Sequence, residues 1–146
     1  MIRFWKIWTV FVLMLLATAL GYYFGAVEFM INNDFTYLSF VNIAILYGFT
    51  VNIMYKAFAK SKSEILASDS EWFLSDAVLS IGMVGTLSGF LVVLYSTFQG
   101  LDPSDTESMR TAIETLASGM GTALLTSLVG LVASLIMKYQ LVTLES

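Results

Sequence analysis

Leu79-Ser80-Ile81-Gly82-Met83-Val84-Gly85-Thr86-Leu87-Ser88-Gly89-Phe90-Leu91-Val92-Val93-Leu94-Tyr95-Ser96-Thr97-Phe98 runs for 20 residues without a charged side chain. Its polar side chains are all hydroxyls. Wound as a helix at ~1.5 Å per residue, the stretch reaches ~30 Å, the thickness of a bilayer's hydrocarbon core. Working outward, three more apolar runs of similar reach appear: Trp8 to Val27, Tyr37 to Tyr55 and Thr111 to Met137. Aromatic residues stand near their ends (Trp5, Trp8, Tyr22, Tyr37, Tyr55, Trp72, Tyr95 and Tyr139), as the membrane–water interface favours.

Composition agrees with this pattern. Of 146 residues, 58% are hydrophobic and 12% charged, against roughly 25% charged in soluble domains. Cys and His are both absent, which excludes disulfides, thiol chemistry and the common zinc sites within this chain. No nucleophile–base pair or metal set is visible, so an enzyme is not the expectation. The net charge of −4 and 7 scattered basic residues form no nucleic-acid patch.

These runs predict an all-α polytopic membrane protein with four transmembrane helices. Placing the N-terminus inside puts Arg3, Lys6, Lys56, Lys60, Lys62 and Lys138 in the cytoplasm and leaves only Arg110 outside. The positive-inside rule therefore predicts N-in, C-in topology. Arg3 and Lys6 followed by an apolar run to Ala17-Thr18-Ala19 resemble a signal peptide, but the apolar stretch continues to Met30, which favours a retained helix. Residues 1–58 read as helices one and two, 59–78 as a short Ser-rich cytoplasmic segment, and 79–146 as helices three and four. Asn32-Asn33-Asp34 reads as a tight outer turn. In the outer loop, Ser104-Asp105-Thr106-Glu107 reads as a capping box, so the fourth helix is expected to begin outside the membrane.

Helices one and two show bulky side chains and no organised polar stripe. Helices three and four differ. Gly82, Gly85 and Gly89 share one face, and Gly119, Thr122, Thr126, Gly130 and Ala133 recur at spacings of three and four; Ala123, Ser127, Gly130 and Ser134 run beside them. Small faces let helix backbones approach closely in lipid, and hydroxyls there commonly bond their own backbone. On antiparallel helices, Thr86 and the Thr126/Ser127 pair fall at one depth near mid-membrane. Such a layer can hold a water file or coordinate a small cation. The nearest ionisable group, Glu114, reads either as a capping or interfacial carboxylate or as an outer ion entrance.

Gly82-Met83-Val84-Gly85-Thr86-Leu87-Ser88-Gly89-Phe90 is similar to the Gly-x-x-Gly-Thr-x-x-Gly helix of the MotA/TolQ/ExbB proton-channel family. Gly119-Met120-x-x-Ala123-Leu124-Leu125-Thr126-Ser127-Leu128-x-Gly130-Leu131 resembles that family's last membrane helix. The likeness covers roughly residues 77 to 137, and four spans with the paired helices last look most like the flagellar-stator branch. It implies a homopentamer in the bacterial inner membrane, with helices three and four lining a central pore. It further implies a single-span partner of the MotB/TolR/ExbD type that brings a membrane Asp, and a transported ion, H⁺ or Na⁺, in place of a cofactor. The family's pore Thr positions map onto Thr86 and Ser127. A Glu of the Tol and Ton branches maps onto Thr122, and its role is not transferred to Glu114. The segment Ala59 to Ala77 is too short for the stator branch's rotor-gripping domain. From the residues alone, a small oligomeric scaffold or holin-like pore stands as the alternative, since the glycine faces would serve assembly equally well.

Overall fold

The computed structural model describes residues 2–33, 37–59, 67–99 and 104–145. They form α1 (Ile2–Tyr23), α2 (Ala26–Asn33), α3 (Leu38–Ala59), α4 (Asp69–Phe98) and α5 (Thr106–Glu145). Among the described residues, α1, α3, α4 and α5 are long and apolar enough to cross a membrane. The protein is an all-α bundle of membrane-spanning length.

The first apolar run does not form one helix. The chain leaves α1 after Tyr23, and Gly25 adopts a φ of 74°, the left-handed conformation that glycine reaches at little cost. The Gly25 N–H donates to the Tyr22 carbonyl at 3.1 Å, and the Gly25 carbonyl accepts the Phe29 N–H at 2.9 Å to open α2. Val27 thus belongs to a second, short helix. Asn32 and Asn33, expected in a turn, are the last residues of that helix; Asp34 lies outside the described residues.

The two long helices begin earlier than their apolar runs. α4 starts at Asp69, where the Glu71 carboxylate accepts the Ser68 N–H at 2.9 Å. Its first turns are polar and tied to the neighbouring helices. Lys56 of α3 pairs with Glu71 at 2.6 Å, and Lys138 of α5 pairs with Asp76 at 2.7 Å. α5 starts at Thr106, and its cap is Asp105, whose carboxylate accepts the N–H groups of Glu107 at 3.2 Å and Ser108 at 3.3 Å. That is one residue on from the Ser104 cap expected. At 40 residues α5 is ~60 Å long, twice a hydrocarbon core, so its ends project beyond one.

Packing follows from side-chain size. Buried Ile7 and Met14 of α1, Leu46, Phe49 and Ile53 of α3, Val78 of α4, and Ala133, Met137, Leu141 and Leu144 of α5 form one apolar cluster at the lysine end of the bundle. α1 runs antiparallel to α3: Phe4 meets Phe58 ring to ring, and the Thr18 and Tyr47 hydroxyls lie 2.5 Å apart. α3 runs parallel to α5, since Asn42 lies against Gly130 and Thr50 bonds Gln140. The Leu38 side chain reaches Gly85, so α3 begins level with the middle of α4. Beyond that level, residues 86–98 carry the α4–α5 hairpin ~20 Å further.

The exterior is apolar on every long helix. Leu13, Leu16 and Leu20 of α1, Val84, Leu87 and Leu91 of α4, and Leu124, Leu128 and Leu135 of α5 are all exposed. Ser39, Asn42, Thr50, Ser75 and Gln140 are fully buried. Oil outside with amide and hydroxyl inside suits a lipid solvent, and in water such a surface would associate.

Candidate functional site

The α4–α5 hairpin is where the two backbones approach most closely, and glycine makes this possible. A methyl group placed on Gly82 would lie 3.0 Å from Gly130 Cα and 3.0 Å from the Thr126 carbonyl oxygen. One placed on Gly130 would lie 2.9 Å from Gly82 Cα, 3.0 Å from the Val78 carbonyl oxygen and 3.1 Å from Asn42 Nδ2. One turn along, Gly85 receives the methyl of Thr126, and Gly89 faces Ala123 with space for ordinary contact at 3.5 Å. Further on, Val93 closes over Gly119. Each advance along α4 is matched by a retreat along α5, which fixes the antiparallel register.

That register places Thr86, beside Gly85, level with Thr126. The two hydroxyl residues differ in setting. Thr126 is buried, with its methyl turned into Gly85. Thr86 is half-buried and donates to its own backbone, the Gly82 carbonyl, at 3.1 Å. Ser88 likewise donates to the Val84 carbonyl at 2.9 Å. Ser127 is half-buried and opens onto a groove of 550 Å³ lined mainly by apolar residues, among them Phe29, Met83, Leu124 and Leu128. Thr86 and Thr126 therefore share a level across the helix contact, whereas Ser127 points to a different surface of α5. Thr122 is a residue of α5, and its side chain lies outside the described residues.

Glu114 is not a helix cap, because α5 begins at Thr106, two turns earlier. Its carboxylate accepts from Arg110 Nε at 3.1 Å, an exposed i,i+4 pair on the projecting part of the hairpin. The one basic residue expected outside is thus paired by its own helix neighbour.

Sequence reasoning missed the polar seam on α3. Ser39, Asn42 and Thr50 face inward together. Thr50 donates to the Leu46 carbonyl at 2.8 Å and accepts from Gln140 Nε2 at 2.9 Å. Asn42 is fully buried against Gly130, and among the described residues neither its Oδ1 nor its Nδ2 has a hydrogen-bond partner. Spacings of three and eleven from Ser39 were the available signal, and both are helical repeats. They escaped notice because each polar residue stands alone in an apolar run.

Comparison of the chain with protein-family models, with curated proteins and with solved structures returned no match.

Proposed function

We propose that this chain is the pore-ring subunit of a proton- or sodium-driven membrane motor, working in the bacterial cytoplasmic membrane with a single-span partner. The observation that carries this reading is the tight α4–α5 pair with Thr86 and Thr126 at one level. No charged residue stands on α4 between Leu79 and Phe98, or on α5 between Thr115 and Met137. Because Thr86 donates its proton to the Gly82 carbonyl, it offers only oxygen lone pairs to a path beside it. Ser88 is committed in the same way. A layer of acceptors favours cations and the donor side of water. It cannot hold a transferable proton by itself, so the titratable carboxylate comes from the partner. Repeated around a homopentameric ring, the layer would surround that carboxylate, and ion passage would alternately neutralise and free it while the ring and partner turn against each other. Thr86, Ser127 and Thr122 are the positions assigned to the path, with Thr126 setting the helix spacing behind them and Glu114 standing toward the outer mouth.

The test uses liposomes holding the protein with a single-span partner that carries a membrane Asp, and follows dissipation of a pH or Na⁺ gradient. Thr86→Ala combined with Ser127→Ala should reduce partner-dependent flux at least tenfold while native mass spectrometry shows an unchanged oligomer. Thr126→Val keeps the outline of the buried side chain but removes its hydroxyl, and should leave flux within about twofold, because that hydroxyl is enclosed and not on the path. Wild-type flux in the double variant would defeat the reading. Conduction by the protein without a partner would favour the holin-like alternative.

A further inference from the structure

We propose that the trough between α1 and α5 binds an anionic phospholipid, with an acyl chain in the trough and the headgroup phosphate on the Lys6 ammonium. The trough has a volume of 420 Å³, and its walls include Val10, Leu13, Met14 and Ala17 of α1 and Leu135 and Tyr139 of α5. It exists because α1 leans on α3 through Met14 and Tyr47 and leaves its far side open toward α5.

Charge and depth identify the occupant. Lys6 precedes Val10 by one turn, so the two share the face of α1 that lines the trough. Lys6 is exposed, and among the described residues no carboxylate pairs with it. Exposed Trp5 and Trp8, edge to face at 6.1 Å, flank it on the same turn. Indoles favour the headgroup level, so they set the depth of Lys6 at the membrane surface. From Lys6 to Ala17 the helix rises ~16 Å, about the half-thickness of a ~30 Å hydrocarbon core. A chain hanging from a phosphate at Lys6 would therefore fill the trough to mid-membrane and go no further.

The second apolar groove, beside Ser127, lacks this arrangement. The cation on its α5 face, Lys138, seven residues after Leu131, is already paired with Asp76 at 2.7 Å. Both grooves can take hydrocarbon; the Lys6 trough alone has an unclaimed charge at its mouth among the described residues.

Native mass spectrometry of the purified protein, titrated with phosphatidylglycerol or with phosphatidylcholine of the same chains, tests this. Wild type should retain phosphatidylglycerol about fivefold over phosphatidylcholine, the weight of one basic side chain at an anionic surface. Lys6→Gln should bring that ratio close to one without reducing phosphatidylcholine binding, and Lys6→Arg should preserve it. Ala17→Trp fills the trough and should reduce retention of both lipids, with Ala17→Leu as a gentler version should the first fail to fold. Equal retention of the two lipids by wild type, or an unaltered ratio in Lys6→Gln, would overturn the proposal. A change of oligomer mass in the Ala17 variants with lipid retention intact would overturn it too, and would assign the trough to a second copy of the chain.

Discussion

Gly82→Ala should push the α4–α5 hairpin apart, and the structure gives the size of the effect. The new methyl would sit 3.0 Å from Gly130 Cα and from the Thr126 carbonyl oxygen, both backbone atoms that no rotamer change can move. Carbon contacts prefer ~3.5–4.0 Å, so the helices must separate by about half an ångström or more over their closest turn. Overpacking of this kind costs ~1–3 kcal/mol, and the better helix propensity of alanine returns ~0.5–1 kcal/mol. A net loss of about 1 kcal/mol, and at most ~2.5 kcal/mol, is expected. Gly130→Ala should cost at least as much, since its methyl meets Gly82 Cα at 2.9 Å as well as the Val78 carbonyl and Asn42. Two controls separate packing from propensity: at Gly89 the nearest atom is Ala123 Cβ at 3.5 Å, and at Gly121 nothing lies within 4 Å. Gly89→Ala should be close to neutral, and Gly121→Ala should gain up to ~1 kcal/mol. Thermal unfolding in detergent, followed by circular dichroism, ranks the four variants. If Gly82→Ala proves as stable as Gly121→Ala, the close approach of these backbones is wrong, and with it the register that levels Thr86 with Thr126.

Asn42→Leu replaces a buried amide with no hydrogen-bond partner among the described residues by a side chain of the same branching but larger volume. The ~1–3 kcal/mol relieved by removing the amide is partly offset by overpacking against Gly130, so a gain of up to ~1–2 kcal/mol is expected in the same unfolding assay; a loss above ~3 kcal/mol would mean that the amide is bonded in the folded protein. Glu114→Gln breaks only an exposed pair with Arg110 and should change stability by no more than a few tenths of a kcal/mol, with partner-dependent ion flux unchanged. A fall in flux matching that of the Thr86/Ser127 double variant would instead make Glu114 part of the ion path.

Features carried by a single helix were legible before the fold was known, and features needing two helices were not. Gly82, Gly85 and Gly89 stand out because their spacing alone defines a small face. Asn42 and Thr50 looked incidental, since their meaning comes from Gly130 and Gln140, about ninety positions later in the chain. Gly25 also went unread as a break: hydropathy continues through it, and only its positive φ separates α2 from α1. The first turns of α4 are polar, so an apolar run could not reveal them. They are held as helix by the Glu71 bond to Ser68 and by ion pairs to Lys56 and Lys138. For Thr86, Thr126 and Ser127, composition and spacing located the hydroxyls within their own apolar runs, while their differing burial emerged only from the packing.

By itself the sequence determined that this chain is helical, that its long helices suit lipid, and that its last two helices have faces small enough to touch. Tertiary structure decided that α3 packs along α5 and begins at the level of Gly85, that Thr126 is enclosed while Ser127 faces a groove, and that a trough lies open below Lys6. The division has a physical cause. Hydropathy and helical period are sums over neighbours along one chain segment. Register and burial depend on which distant side chains fill the space between helices, and no single segment contains that information.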